Sequence, residues 1–171
     1  MDDNTDTEIA LDETDLTILE RVEQNSDVSL ESLAAELDLS KSAVHYRLNK
    51  LKENGVITSV SADVDPLAIG LNMLMITDVS VSHDSGYATD IGEALADIDG
   101  VYQLYYTMGD VDFTVLSRVQ NREQMNDLID DIVAIDGVNH TSSKFVMKEL
   151  KTGNETVANM SDEMIENVLQ E

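Results

Sequence analysis

The sequence predicts an α+β protein of two units, an N-terminal winged helix-turn-helix domain joined to a C-terminal ferredoxin-like (βαββαβ) domain. Three observations predict it. The apolar residues follow a helical period early in the chain and change to alternation near residue 71. The alternating runs then recur with amphipathic stretches between them, in the order strand, helix, strand, strand, helix, strand. A basic stretch at residues 40–55, SKSAVHYRLNKLKENG, also interrupts a chain of 35 acidic against 10 basic residues; Lys41, Arg47, Lys50 and Lys52 fall in a run with no acid.

Residues 1–10 carry Asp2, Asp3, Asp6 and Glu8 without apolar pattern and are expected to form a flexible acidic arm. Residues 11–64 make the helical domain. Either Asp12 or Thr14 caps a first helix with Leu16, Leu19 and Val22 inward. Ser29 caps a second, which buries Leu30, Leu33, Ala34 and Leu37. Asp38 and Leu39 leave room for only a short turn before Ser40 caps a third helix, which Gly55 ends. Val44, Leu48 and Leu51 form its buried stripe, while Lys41, Ser42, His45, Tyr46 and Asn49 lie opposite, free to meet a partner. This makes the third helix the candidate recognition helix for double-stranded DNA, with Ser40, Lys41, Ser42, His45, Tyr46, Arg47, Asn49 and Lys50 as contact residues. Arg47 flanks the buried stripe, where it can anchor a phosphate or brace the helices. Residues 56–64 read as short strands forming a wing, and residues 65–71, interrupted by Pro66 and Gly70, form the linker.

The second domain is expected over residues 72–151. Met73, Met75, Thr77, Val79 and Val81 share one face of its first strand, and residues 87–96 make a helix with Ile91, Ala94 and Leu95 inward. Strands over 101–107 and 112–119 flank the turn Met108-Gly109-Asp110. A helix over 121–135 packs through Met125, Leu128, Ile129, Ile132 and Val133, and a fourth strand is expected over 142–150. Two helices cover only one face of such a sheet, so the open face predicts self-association. Residues 152–171 form a polar tail ending in a weak helix, which either docks on a neighbouring subunit or frays.

Net charge of −25, dispersed through both halves, reads as adaptation to a very salty cytoplasm, where salt screens the repulsion between acids and DNA. Cysteine is absent, which excludes disulfides and thiolate metal sites. No apolar run approaches a membrane span and the N-terminus is acidic, so the expected location is the cytoplasm, with no membrane partner. His45, His83 and His140 are scattered, and no HExxH, GxSxG or phosphate-loop pattern occurs. Pairs such as Asp110 and Asp112 recur as Asp63 and Asp65 or Asp97 and Asp99. No enzyme, cofactor or metal site is expected.

Taken together, the segments LDETDLTILERV, LAAELDLSKSAVHYRLNKLKENGVI, DPLAIG, YTMGDVDFTVL and IDGVNHTSSKFVMKELK resemble the Lrp/AsnC (feast/famine) family of transcriptional regulators over residues 11–151. The resemblance implies a DNA-binding regulator whose homodimers assemble through the sheet domain, often to an octamer. It further implies a small effector, usually an amino acid, held near Gly109, Asp110, Asp112, Thr141 and Ser143. Ser143 stands where the family commonly has Thr. The turn has a physical rationale as well: Gly109 permits close backbone approach, turn N–H groups can hold a carboxylate, and Asp110 or Asp112 can pair with an ammonium group. The alternative is a hairpin whose Gly and Asp merely satisfy turn geometry. Two further functions fit the same chain, an architectural DNA-wrapping protein with little sequence preference and a metabolite-sensing interaction module.

Overall fold

The computed structural model describes residues 10–83, 86–153 and 155–170. It divides into two compact units, one running up to Asp63 and resuming at Lys151, the other spanning Val64–Leu150. The acidic arm lies outside the described residues except for Ala10.

In the first unit α1 (Glu13–Gln24) starts at Asp12, whose carboxylate accepts from Asp15 N–H while the Asp15 carboxylate accepts from Asp12 N–H. This reciprocal capping selects Asp12 over Thr14 as the cap. Leu16, Ile18 and Leu19 are buried, and Ile18 joins the stripe expected from Leu16, Leu19 and Val22. The Ser29 hydroxyl caps α2 (Leu30–Glu36), and the Ser40 hydroxyl caps α3 (Lys41–Glu53). Between them Asp38 adopts φ +53°, and Leu39 N–H reaches back to Ala34 O at 2.9 Å. A left-handed residue followed by that bond closes α2 and frees the chain to turn; Asp tolerates the conformation better than most side chains. Gly55, at φ +74°, ends α3 in the same way, with Val56 N–H bonded to Leu51 O.

The expected wing does not form as strands. Val56 and Ile57 pack against the helical core, but residues 58–65 hold no strand and Val60 and Val64 are exposed. Residues 56–64 are few for two paired strands and hold no Asn-Gly or Gly-Gly pair to turn a hairpin.

The tail also departs from expectation. A 3-10 turn at Val157–Asn159 and α6 (Asp162–Gln170) belong to the first unit, where Val157, Ile165, Val168 and Leu169 pack against the helical core. Their spacing puts one apolar face on a helix that the polar surroundings had made look weak.

The second unit holds β1 (Met73–Val81), α4 (Tyr87–Ala96), β2 (Val101–Tyr106), β3 (Phe113–Val119), α5 (Arg122–Ala134) and β4 (Val138–Phe145). The antiparallel sheet has the order β2-β3-β1-β4. Alternation in β1 and β3 buries Met75, Thr77, Val79, Val81, Phe113, Val115, Ser117 and Val119 on one face, and Ile91, Leu95, Met125, Leu128 and Ile132 from the two helices cover it. Val133, expected in the stripe, is exposed. It lies roughly 80° around the helix from Met125, beyond the edge of the contact.

The fourth strand begins four residues earlier than expected and stops earlier. Its register pairs Val81 with Val138 and Met75 with Phe145. Pairing with β1 stops at Val146, whose N–H donates to Leu74 O at 3.0 Å, and Met147 is almost fully exposed. The alternation continuing through Met147 and Leu150 therefore overstates the strand. The sheet's other face carries Ile76 and Leu116 with Tyr105 and an Asp78–Lys144 ion pair at 2.5 Å.

Candidate nucleic-acid interface and effector turn

The outer face of α3 is built by its own cap and buried stripe. Val44 and Leu51 are buried, which turns Lys41, Ser42, His45, Tyr46, Asn49 and Lys50 outward, and all six are exposed. The first acid in the helix is Glu53, in its last turn. Lys41 Nζ lies 2.8 Å from Glu31 of α2, with both side chains mostly solvated, so the pair can exchange for a phosphate at little cost. His45 Nδ1 and Asn49 Nδ2 are 3.4 Å apart, one turn from each other. Together they present donors and acceptors of the type that reads base edges.

Two of the eight contact residues have structural jobs. Ser40 uses its hydroxyl to accept from Ala43 N–H at 3.1 Å. Arg47 points back to α1: its guanidinium lies 2.7 Å from Asp12 and 2.8 Å from Asp15. Of the two roles open to Arg47, the observed geometry is the brace. Hydrogen bonds to Asp15 and Asp12 raise the arginine's pKa despite partial burial. Beside it a cleft of about 280 Å³, lined by Asp12, Asp15, Tyr46, Arg47 and Lys50, separates the start of α1 from the outer face of α3.

In the second unit the turn between β2 and β3 sits against the end of β1. Thr107 N–H donates to Asp112 O at 2.8 Å, and Asp112 N–H donates to Val79 O at 3.1 Å. Gly109 takes φ +150°, and a Cβ there would meet nothing within 4 Å. Its requirement is therefore backbone freedom rather than space. Asp110 is exposed, and its carbonyl accepts from Ser80 Oγ at 3.5 Å. Thr141 pairs with Val79 on the other side of β1, so it gathers at the same end of the sheet as the turn. Ser143 lies two residues further along, where its hydroxyl meets Thr77 Oγ1 at 2.9 Å.

Asp112 is committed within the chain. Its carboxylate accepts from Val81 N–H at 2.8 Å and approaches His83 Nε2 at 2.6 Å. The Val81 N–H, opposed by burial and helped by His83, holds this carboxyl below the ordinary 3.8. His83 stacks on Tyr87 at 4.7 Å, and Tyr87 shares a 2.7 Å hydrogen bond with Tyr106. That bond, with burial, pushes the Tyr87 phenol up to about 12. Sequence reasoning did not join His83, Tyr87 and Tyr106 to the turn. The available signal was the antiparallel pairing itself, which brings the end of β1 beside the start of β3.

A lowered carboxyl pKa favours the folded state above the unfolded pKa, and that contribution disappears as pH falls through the folded value. The second unit should therefore lose stability as pH drops below about 4, and Asp112→Asn should flatten that part of its pH–stability curve. Thermal melts between pH 3 and 6 measure both.

A capped three-helix unit with a basic outer helix, joined to a split βαββαβ sheet, defines a DNA-binding regulator of two domains. Residues 11–58 match the winged helix-turn-helix DNA-binding family and residues 75–156 the Lrp/AsnC ligand binding domain. The HTH-type transcriptional regulator FL11 of Pyrococcus horikoshii is 33% identical over 143 residues, 84% of this chain and 93% of the relative. The HTH-type transcriptional regulator LysM of Sulfurisphaera tokodaii is 34% identical over 139 residues, covering 81% of this chain and 96% of the relative. Among solved structures, a Neisseria meningitidis transcriptional regulator in complex with L-methionine superposes with a TM-score of 0.82 at 23% identity, over 87% of this chain and 97% of that one. The M. tuberculosis feast or famine regulatory protein complexed with L-methionine gives 0.78 at 25% identity, over 86% and 99%. The chain belongs to the Lrp/AsnC family of HTH-type transcriptional regulators.

Proposed function

We propose that this regulator recognises specific DNA sites through α3 and responds to a small metabolite, an amino acid, bound at the β2–β3 turn of an oligomer. The observation that carries the DNA reading is the outer face of α3, where Lys41, Ser42, His45, Tyr46, Asn49 and Lys50 stand exposed with no acid among them. Lys41 and Lys50 serve as phosphate contacts, while His45 and Asn49 contact base edges. Ser40 and Arg47 support the interface by fixing the helix. At molar salt the counterion-release gain is largely lost, so affinity comes from direct contacts and from several reading heads acting together.

The L-methionine complexes of two structural neighbours support an amino acid effector. At the turn, Gly109 and its neighbours offer backbone N–H groups to a carboxylate, and Asp110 offers an exposed carboxylate to an ammonium group. Thr141 and Ser143 supply hydroxyls from β4. Asp112 serves by holding the turn to β1, since both its oxygens are engaged. The open sheet face with Ile76, Leu116 and Tyr105 supports a homodimer, and octamers follow if the turns meet between dimers.

Light scattering of the purified protein in molar potassium chloride tests this, with and without a pool of amino acids. The expected result is a change of assembly mass with one amino acid, abolished by Asp110→Ala. An unchanged dimer with every amino acid would contradict the effector assignment.

A further inference from the structure

We infer that the C-terminal segment from Glu155 to Gln170 is a salt-dependent clasp that closes, within its own chain, on the helix-turn-helix unit. Two separate contacts make the clasp. The Glu23 carboxylate, near the end of α1, accepts from the backbone N–H groups of Thr156 at 2.9 Å, Val157 at 2.8 Å and Ala158 at 3.4 Å. It thereby caps the 3-10 turn from 133 residues away in sequence. Beyond that anchor α6 lays Ile165, Val168 and Leu169 against the helical core, beside Val157. The rest of α6 is exposed.

The charges oppose this contact. Glu155, Asp162, Glu163 and Glu166 occur in the segment with no base between Glu155 and Gln170. The helix it closes on carries Glu13, Asp15, Glu20 and Glu23 against Arg21 alone. Arg21 is already paired with Glu36 at 2.7 Å and Glu20 at 3.3 Å. Among the described residues no ion pair joins the segment to residues 10–63. Closure therefore rests on apolar burial and on the Glu23 cap, against like-charge repulsion. Repulsion reaches about 10 Å in 0.1 M salt but only about 3 Å at 1 M. Apolar contact and backbone hydrogen bonds at short range are screened far less. Salt thus sets the balance between closed and open.

The consequence is local to the reading unit. The same α1 holds the clasp through Glu23 and holds α3 through the Asp12 and Asp15 bonds to Arg47. Opening the clasp exposes apolar surface of the core on which α3 is mounted, so ionic strength reaches the recognition helix through α1.

Amide hydrogen exchange on the full chain, from 0.1 to 3 M potassium chloride, tests the inference. Amides of residues 156–158 and α6 are expected to lose at least tenfold in protection at the low end, while those of β1 and β3 keep theirs. Glu163→Gln with Glu166→Gln should move that opening to lower salt. Glu23→Ala gives the discriminating sign. As a mere negative charge, Glu23 would on removal tighten the clasp; as the cap, its loss opens the clasp at higher salt. The inference is overturned by α6 amides that exchange freely at every salt, by protection lost only together with β1 and β3, or by Glu23→Ala that tightens closure. An opening midpoint that moves with protein concentration would place α6 on a second copy and overturn closure within the chain.

Discussion

Replacing Lys41, His45 and Asn49 together by Ala is expected to abolish discrimination between the preferred DNA site and unrelated duplex, about a hundredfold loss of preference. A good pair of hydrogen bonds to a base edge is worth about 1–3 kcal/mol of discrimination. Two such contacts at about 1.4 kcal/mol each, toward the low end for exposed and hydrated groups, give that factor. All three side chains are exposed on α3 and none belongs to the core, so the helix should stay folded without them. Competition binding with a preferred and a scrambled duplex in molar potassium chloride measures the ratio. If affinity for both falls equally, the protein wraps DNA without reading it. If neither changes, the helical unit has no DNA role and the sheet domain works as a sensor alone.

Arg47→Ala should lower the stability of the first unit by about 2 kcal/mol, within the range for charge-assisted hydrogen bonds once partial exposure is allowed for. The pair is worth more than an ordinary surface bridge for a geometric reason. The Asp15 side chain is only 13% exposed, and removing Arg47 leaves it poorly solvated and unpaired. For a unit of this size the melting point should fall by roughly 10 °C. Arg47→Lys should recover part of the loss, since Nη1 alone reaches both Asp12 and Asp15 and an ammonium on a differently shaped stem replaces it only in part. A melting point that does not move, with DNA affinity whose salt slope drops by about one, would make Arg47 a phosphate contact instead.

Local rules made much of the fold readable. Asp12 or Thr14, Ser29 and Ser40 announced three helix starts because capping is a property of neighbouring residues. Alternation identified β1 and β3 because both are flanked by other strands and bury a full face. The errors fall where a partner distant in sequence decides. The extent of β4 is set by its pairing with β1, from Val81–Val138 to Met75–Phe145, which the alternation running to Leu150 could not reveal. The strands expected over residues 56–64 fail to form for a local reason instead, the lack of a tight-turn pair between the apolar residues. The tail looked weak by itself, for its apolar face acquires meaning only against the helical core and its anchor is Glu23.

The placement of the candidate site residues was legible to a similar depth. Charge contrast isolated α3, and helical spacing identified its outward residues. Arg47 remained open between two roles because Asp12 and Asp15 are distant in sequence. At the turn, residues 109–112 came from the family resemblance, with Gly and Asp as a physical rationale, but the commitment of Asp112 to Val81 and His83 required the strand pairing.

Selection of duplexes from a random-sequence library by the purified full chain, in molar potassium chloride, tests most directly whether α3 reads sequence. Enrichment of a defined motif, in paired half-sites and lost with the Lys41, His45 and Asn49 substitutions, is the expected result. A bound pool with no sequence enrichment over the starting library would contradict it.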